Sequence, residues 1–277
     1  MTAIATTRQR LPGFAPSLAG TLATLAVLVV IPLSAMAAMA LADGPAALLR
    51  AIGDARVQAA FRVTVITAFI AALIAAAAGL LLAWILVRYR FPGRRALDAA
   101  IDLPFALPTA VAGIALAALY APNGWIGGLL APLGLQVAFT PAGIVVALVF
   151  VGLPFVVRAV QPVLAEIEVE VEEAARLLGA TPMQAFRRIL LPAVEPALLT
   201  GFTMAFARGL GEYGSVIFIA GNRPMVSEIV PLLIVIQLEQ FNYAGAAAIG
   251  TLMLVLSFAL LFVINLLQRR NRVRHGQ

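Results

Sequence analysis

A chain of 277 residues that is 62% hydrophobic and only 12% charged falls far below the charged share of roughly 25% expected of a water-soluble domain. It contains no cysteine and a single histidine, His275, so disulfides and thiolate metal sites are excluded and neither histidine catalysis nor a bound metal or cofactor is supported. The net charge of +6 rests on 19 basic residues, all arginine, and most of them flank apolar stretches instead of forming a patch for nucleic acid.

Six apolar spans follow one another along the chain, at residues 17–41, 60–86, 97–120, 140–160, 193–220 and 246–267. Each is near the ~20 residues a helix needs to cross ~30 Å of hydrocarbon, and backbone groups in lipid must bond within their own segment. An all-α, polytopic membrane protein is therefore expected. Arg8 and Arg10 precede the first span, and the small-residue run from Ala35 to Ala42 closes it in the manner of a cleaved signal. The apolar stretch is about twice a signal core of roughly 7 to 15 residues, so it is expected to be retained as a helix. Arg88, Arg90, Arg94 and Arg95 separate the second and third spans, Arg176, Arg187 and Arg188 the fourth and fifth, and Arg269, Arg270, Arg272 and Arg274 follow the sixth. The opposite loops hold only Arg50 and Arg56, then no basic residue between Ala121 and Phe139, then Arg223. This asymmetry predicts that both termini are cytoplasmic. The chain divides into a cytoplasmic segment at 1–16, one transmembrane domain at 17–268 with a cytoplasmic loop at 161–192, and a basic tail at 269–277.

Within the third span, Pro104 and Pro108 lie four apart and each removes a backbone donor, which predicts kinks and a bend around a cavity; Pro154 does the same in the fourth. The loop at 161–192 predicts two helical rods. The first runs from Gln161 to Leu178 with a surface of Glu166, Glu168, Glu170, Glu172 and Glu173. Gly179 breaks it, because glycine reverses the chain at positive φ without steric cost. Thr181, Pro182 and Gln184 restart it as cap, first-turn residue and capping box. Phe186, Ile189 and Leu190 share one face of the second rod, with Arg187 and Arg188 directed elsewhere.

Charge at membrane depth is rare, and Arg208 and Glu212 supply it in the fifth span. Their four-residue spacing allows a mutually neutralised pair on one helix face, or a pathway or gating role. Gly209, Gly211 and Gly214 would let another helix approach. Arg208, with hydroxyls such as Thr109 and Ser215, could meet a tetrahedral oxyanion.

The spacing Glu173-Ala174-Ala175, Gly179, Ile189, Leu191-Pro192 resembles the EAA signature of membrane subunits of ATP-binding-cassette importers, with every specified position matched. Blocks outside it are similar to the sulfate/thiosulfate permeases of the T type: Leu11 to Phe14, Arg88 to Arg94, Asp102 to Gly113, Pro154 to Arg158 with Gln161 to Leu164, Val216 to Asn222, and Ile264 to Gln268. The resemblance implies a type I importer permease fold in a bacterial inner membrane. It also implies a W-type permease as partner, two copies of a cytoplasmic ATPase that grips the loop at residues 173–192, and a periplasmic sulfate- or thiosulfate-binding protein. The chain itself has no phosphate-binding loop and is expected not to be an enzyme. Molybdate/tungstate permeases look similar around Leu210 to Gly214, and W-type sulfate permeases are closer still. An ion-driven secondary transporter would account for six helices and the buried charges but not for the loop.

Overall fold

A computed structural model describes residues 13–42 and 44–274. Arg8, Arg10, Leu11, Pro12 and His275 lie outside the described residues. Among the described residues the chain is helical without strands. It comprises α1 (Phe14–Ala40), α2 (Pro45–Gly53), α3 (Ala55–Arg88), α4 (Arg94–Ile101), α5 (Leu103–Ala106), α6 (Thr109–Tyr120), α7 (Gly127–Leu130), α8 (Pro141–Glu166), α9 (Val169–Leu177), α10 (Pro182–Leu210), α11 (Val216–Ile219), α12 (Val230–Glu239) and α13 (Tyr243–Arg274). Five of them, α1, α3, α8, α10 and α13, are long and apolar enough to cross a membrane.

The core forms where α3, α8 and α10 meet through small residues. Ala68, Ala71, Ala72, Ala75, Gly79 and Ala83 make a buried stripe on α3. A Cβ on Gly79 would stand 2.7 Å from Val156, and one on Gly201 would stand 2.7 Å from the Val156 Cα. Lipid gives no hydrophobic drive between helices, so this close backbone approach is what holds them. α1 stays outside that core and touches α13, with Met36 and Ala40 beside Ala247 and Ala248.

The third predicted span is not one kinked helix. It divides into α4, α5 and α6, with Pro104 in the first turn of α5 and Pro108 as the residue before α6. Both prolines therefore start helices, where a missing N–H is harmless, and Leu107 is extended because proline forces its predecessor there. Pro154 and Pro162 by contrast sit inside the continuous α8.

The fifth predicted span ends at Leu210 instead of reaching residue 220. After a turn and the short α11, the supposed outer loop contains α12, ten residues long and apolar. At ~1.5 Å per residue α12 covers only ~15 Å. Its first N–H, from Val230, donates to the Thr64 hydroxyl at 3.0 Å, and Val230 and Leu233 pack on Val57 and Ala60 of α3. The segment thus packs beside the N-terminal part of α3, where Arg62 is exposed.

Candidate functional site

The loop at 161–192 joins the C-terminal end of α8 to the N-terminal part of α10. The predicted first rod breaks at Ile167 and Glu168, both extended, so α9 is a separate helix. Gly179 has φ +82° and a Cβ there would meet nothing within 4 Å, so the glycine serves the turn alone. Thr181 accepts from the Gln184 N–H at 3.3 Å, and the Gln184 side chain accepts from the Thr181 N–H at 2.8 Å, closing the capping box. A π turn follows at Phe186–Leu190. Its Leu190 is buried, Phe186 stacks near Trp84 with ring centres 5.8 Å apart, Ile189 is half-buried, and Arg187 and Arg188 are exposed.

Glu173, Ala174, Gly179 and Pro192 are exposed, Leu191 is half-buried, and Ala175 is buried. Leu177 and Leu178 are each 89% exposed and Met183 is 64% exposed, an apolar tip amid Arg176, Glu170 and Glu173. Such a tip on a rigid, capped turn suits a groove in a soluble partner.

Glu172 departs from the predicted water-facing surface. It is buried, and its Oε1 lies 2.8 Å from the Arg88 Nε without hydrogen-bond alignment, a mainly Coulombic contact. Arg88 also donates to the Ile167 carbonyl at 3.0 Å. The end of α3 is thereby fastened to α9. In the sequence Arg88 reads as a topology signal and Glu172 as one glutamate of five; nothing local pairs them.

The second constellation lies where the third and fifth spans break. Arg208 and Glu212 form an ion pair at 2.5 Å. Glu212 is buried and also accepts from the Ser215 N–H at 2.9 Å and its hydroxyl at 3.0 Å. Ser215 is fully buried, so its hydroxyl serves Glu212 and not open space. Arg208 is half-exposed, with its charge balanced from one side only. Thr109 is brought to this crossing: a Cβ on Gly214 would fall 2.1 Å from the Thr109 hydroxyl, and one on Gly113 would fall 2.3 Å from the Ser215 carbonyl. Gly209 is in contact range of Ala68 at 3.4 Å, whereas Gly211 faces nothing within 4 Å. Two of the three glycines thus permit close approach. Pro104 stands in the first turn of α5, and Pro108 starts α6 directly before Thr109.

A third cluster escaped sequence reading. Arg158 on α8 donates to Asp98 at 2.7 Å, to Asp102 at 2.9 and 2.6 Å, and to Gln161 at 2.7 Å. Five donors in a planar fork suit two carboxylates at once, and the cluster holds the broken third span onto α8. Beside it, Phe105, Phe155, Ala197, Thr200 and Met204 line an open cavity of about 500 Å³. The spacing of Asp98 and Asp102 on one helical path is the only local hint of this site.

Known proteins bear on this geometry. The chain is 48% identical to the sulfate transport system permease protein CysT of Salmonella typhimurium, over 95% of both chains. It is 47% identical to the probable sulfate transport system permease protein cysT of Nephroselmis olivacea, over 97% of this chain and 94% of that one. In fold it superposes on a bacterial ABC transporter involved in the import of the polysaccharide alginate, with a TM-score of 0.76, 17% identity and coverage of 92% and 94%. Residues 75–273 match the family described as binding-protein-dependent transport system inner membrane component. With that match across most of its length and close relatives across nearly all of it, the chain belongs to this family of transport permeases.

Proposed function

We propose that the chain is the T-type membrane subunit of an ATP-driven importer of sulfate or thiosulfate. The observation that carries the reading is the exposed, capped turn from Glu173 to Pro192 on a membrane bundle whose sequence follows sulfate permeases end to end. Glu173, Ala174, Ala175, Gly179, Ile189, Leu191 and Pro192 couple the bundle to a cytoplasmic ATPase, which hydrolyses ATP as a separate subunit in two copies. A W-type permease completes the membrane pair, and a periplasmic binding protein delivers the anion. Both termini face the cytoplasm, residues 17–268 form the permease domain, and 161–192 is its coupling loop. A structure of the same fold, a bacterial alginate ABC transporter in complex with alginate pentasaccharide-bound periplasmic protein, supports a binding protein as partner.

An energy source is required on physical grounds. Moving one charge across ~100 mV is worth ~2.3 kcal/mol, so a divalent anion entering a negative interior faces ~4.6 kcal/mol. That is a factor on the order of 2,000 in concentration, and a passive pore would lose sulfate outward. Arg208, balanced by Glu212 yet half-exposed, is the group in the described bundle best suited to meet the passing anion.

Labelled sulfate uptake in cells lacking their own T-type permease and expressing this chain tests the reading. Uptake restored, suppressed by excess thiosulfate and spared by molybdate is the expected result. Uptake suppressed by molybdate, or absent although the partner subunits copurify, would move the substrate to another oxyanion. Arg208→Ala should lower uptake while membrane insertion and ATPase copurification persist; wild-type uptake in that variant would remove Arg208 from the pathway.

A further inference from the structure

The segment between α6 and α8, at the end of α8 opposite the coupling loop, contains neither an acidic nor a basic residue from Ala121 to Phe139. It is nevertheless a built structure. The Gly124 N–H donates to the Ala121 carbonyl at 2.8 Å, Ile126 to Leu119 at 3.0 Å, Gly128 to Gly124 at 2.8 Å, and Leu135 to Leu130 at 3.2 Å. A Cβ on Gly127 would stand 1.9 Å from the Ala121 carbonyl, so the turn is pressed against the end of α6. From this base Trp125, Leu129 and Leu133 project at four-residue intervals, 88%, 75% and 71% exposed. Trp125 stands just before α7, Leu129 in it and Leu133 in the 3₁₀ turn at Ala131–Leu133, so the three exposed side chains belong to one short, uncharged stretch.

The coupling loop offers a contrast within the same chain. Its exposed Leu177, Leu178 and Met183 are interspersed with Arg176, Arg187, Glu170 and Glu173, the mixture a docking surface needs to stay soluble before its partner arrives. The segment at 121–139 has no such charges, and its main polar needs are met by its own backbone bonds. It is also continuous with the lipid-facing bundle, since α8 begins its apolar crossing directly after it. Tryptophan with leucine at the end of a span is the composition that settles at the boundary between lipid and water.

We propose that this platform is an interfacial membrane anchor, its partner the lipid of the leaflet away from the coupling loop, with Trp125 at headgroup level and Leu129 and Leu133 in the acyl boundary. The inference rests on the chain spanning a membrane and is independent of which anion is carried. The chain has two tryptophans, so the fluorescence difference between the wild type and Trp125→Phe isolates Trp125. The experiment uses the chain purified with its partner subunits in phosphatidylcholine nanodiscs carrying nitroxide-labelled lipids. The expected difference spectrum is blue-shifted from that of tryptophan in water, resists iodide, and is quenched more by a nitroxide near the headgroup than by one near the acyl terminus. Red emission open to iodide would make the platform water-facing and overturn the proposal. Blue-shifted emission that neither quencher reaches, or a loss of lipid quenching on adding purified binding protein, would assign the surface to a protein partner and overturn it equally. Recovery of the Trp125→Phe chain with its partner subunits at the wild-type yield verifies that the variant folds.

Discussion

Glu172→Gln should loosen the loop at 161–192 without touching its exposed tip. The substitution keeps the shape of the side chain and removes the charge that faces Arg88 at 2.8 Å. Both side chains are only about a tenth exposed, at 12% and 11%, so solvent replaces little of the lost attraction. Breaking a fully buried pair costs about 3–5 kcal/mol. Arg88 keeps its bond to the Ile167 carbonyl, which reduces the loss to about 2 kcal/mol, within the roughly 1–3 kcal/mol cost of a buried polar group losing a partner. α9 has few other anchors, since Val169, Val171, Leu177 and Leu178 are exposed and Ala175 is its other buried residue. The undocked population of α9 should therefore rise about 30-fold, at ~1.4 kcal/mol per tenfold. Amide hydrogen exchange over residues 169–178 of the purified complex reads this directly, as a matching acceleration. Arg88→Gln should produce a similar change, and the double variant should fall short of the sum, because the pair shares one interaction. Unchanged exchange in Glu172→Gln, or strict additivity in the cycle, would show that the ion pair does not position α9.

Three further outcomes follow from the same geometry. Gly179→Val should reduce uptake about tenfold, since a β-branched residue at φ +82° costs about 1–2 kcal/mol, whereas Gly179→Asn should retain most of it; equal activity of the two variants would show that the turn is not the constraint. Gly214→Ala should impair folding or uptake because its Cβ meets the Thr109 hydroxyl at 2.1 Å, and adding Thr109→Ala should recover part of the loss because that oxygen is then gone; no recovery would place the conflict elsewhere. Arg158→Met should lower thermal stability in detergent by about 1 kcal/mol, because it removes the cation shared by Asp98 and Asp102 while solvent screens the partly exposed cluster, and Arg158→Lys should keep only part of the bidentate holding; an unchanged methionine variant would refute the clamp.

Local chemistry makes the turn in the loop at 161–192 legible in the sequence. The capping box at Thr181 and Gln184, the reversal at Gly179 and the inward face of Phe186 and Leu190 each depend on residues within a turn of one another. The Arg208–Glu212 pair was legible for the same reason. Hydropathy located the long crossings but misjudged the places where a helix stops without leaving apolar sequence. Leu107 is extended because Pro108 follows it, yet a proline in an apolar run reads equally well as a kink. α12 was hidden because ten apolar residues are too few to cross and so pass for part of a loop. The pairs Arg88–Glu172, Arg158–Asp98 and Arg56–Glu228 join residues brought together only by tertiary packing, and no periodicity encodes them.

Those long-range pairs fix how the loop at 161–192 is joined to the Arg208–Glu212 crossing. α3 has 34 residues and so runs ~51 Å. At one end Arg88 holds α9; at the other Arg56 binds Glu228 through two bonds at 2.7 and 2.6 Å, and Thr64 receives the first N–H of α12. Between these fastenings the alanine and glycine stripe lies flush on α8, with no space for even one methyl at Gly79. Interfaces packed this closely do not creep; they shift as a unit or not at all. Gly209 rests on Ala68 of the same helix, which sets the Arg208–Glu212 crossing directly against α3. If α3 and α8 move as one body, a displacement of the loop would reach that crossing as a tilt, and Glu212, held by Arg208 and Ser215 together, would be the group whose partners change.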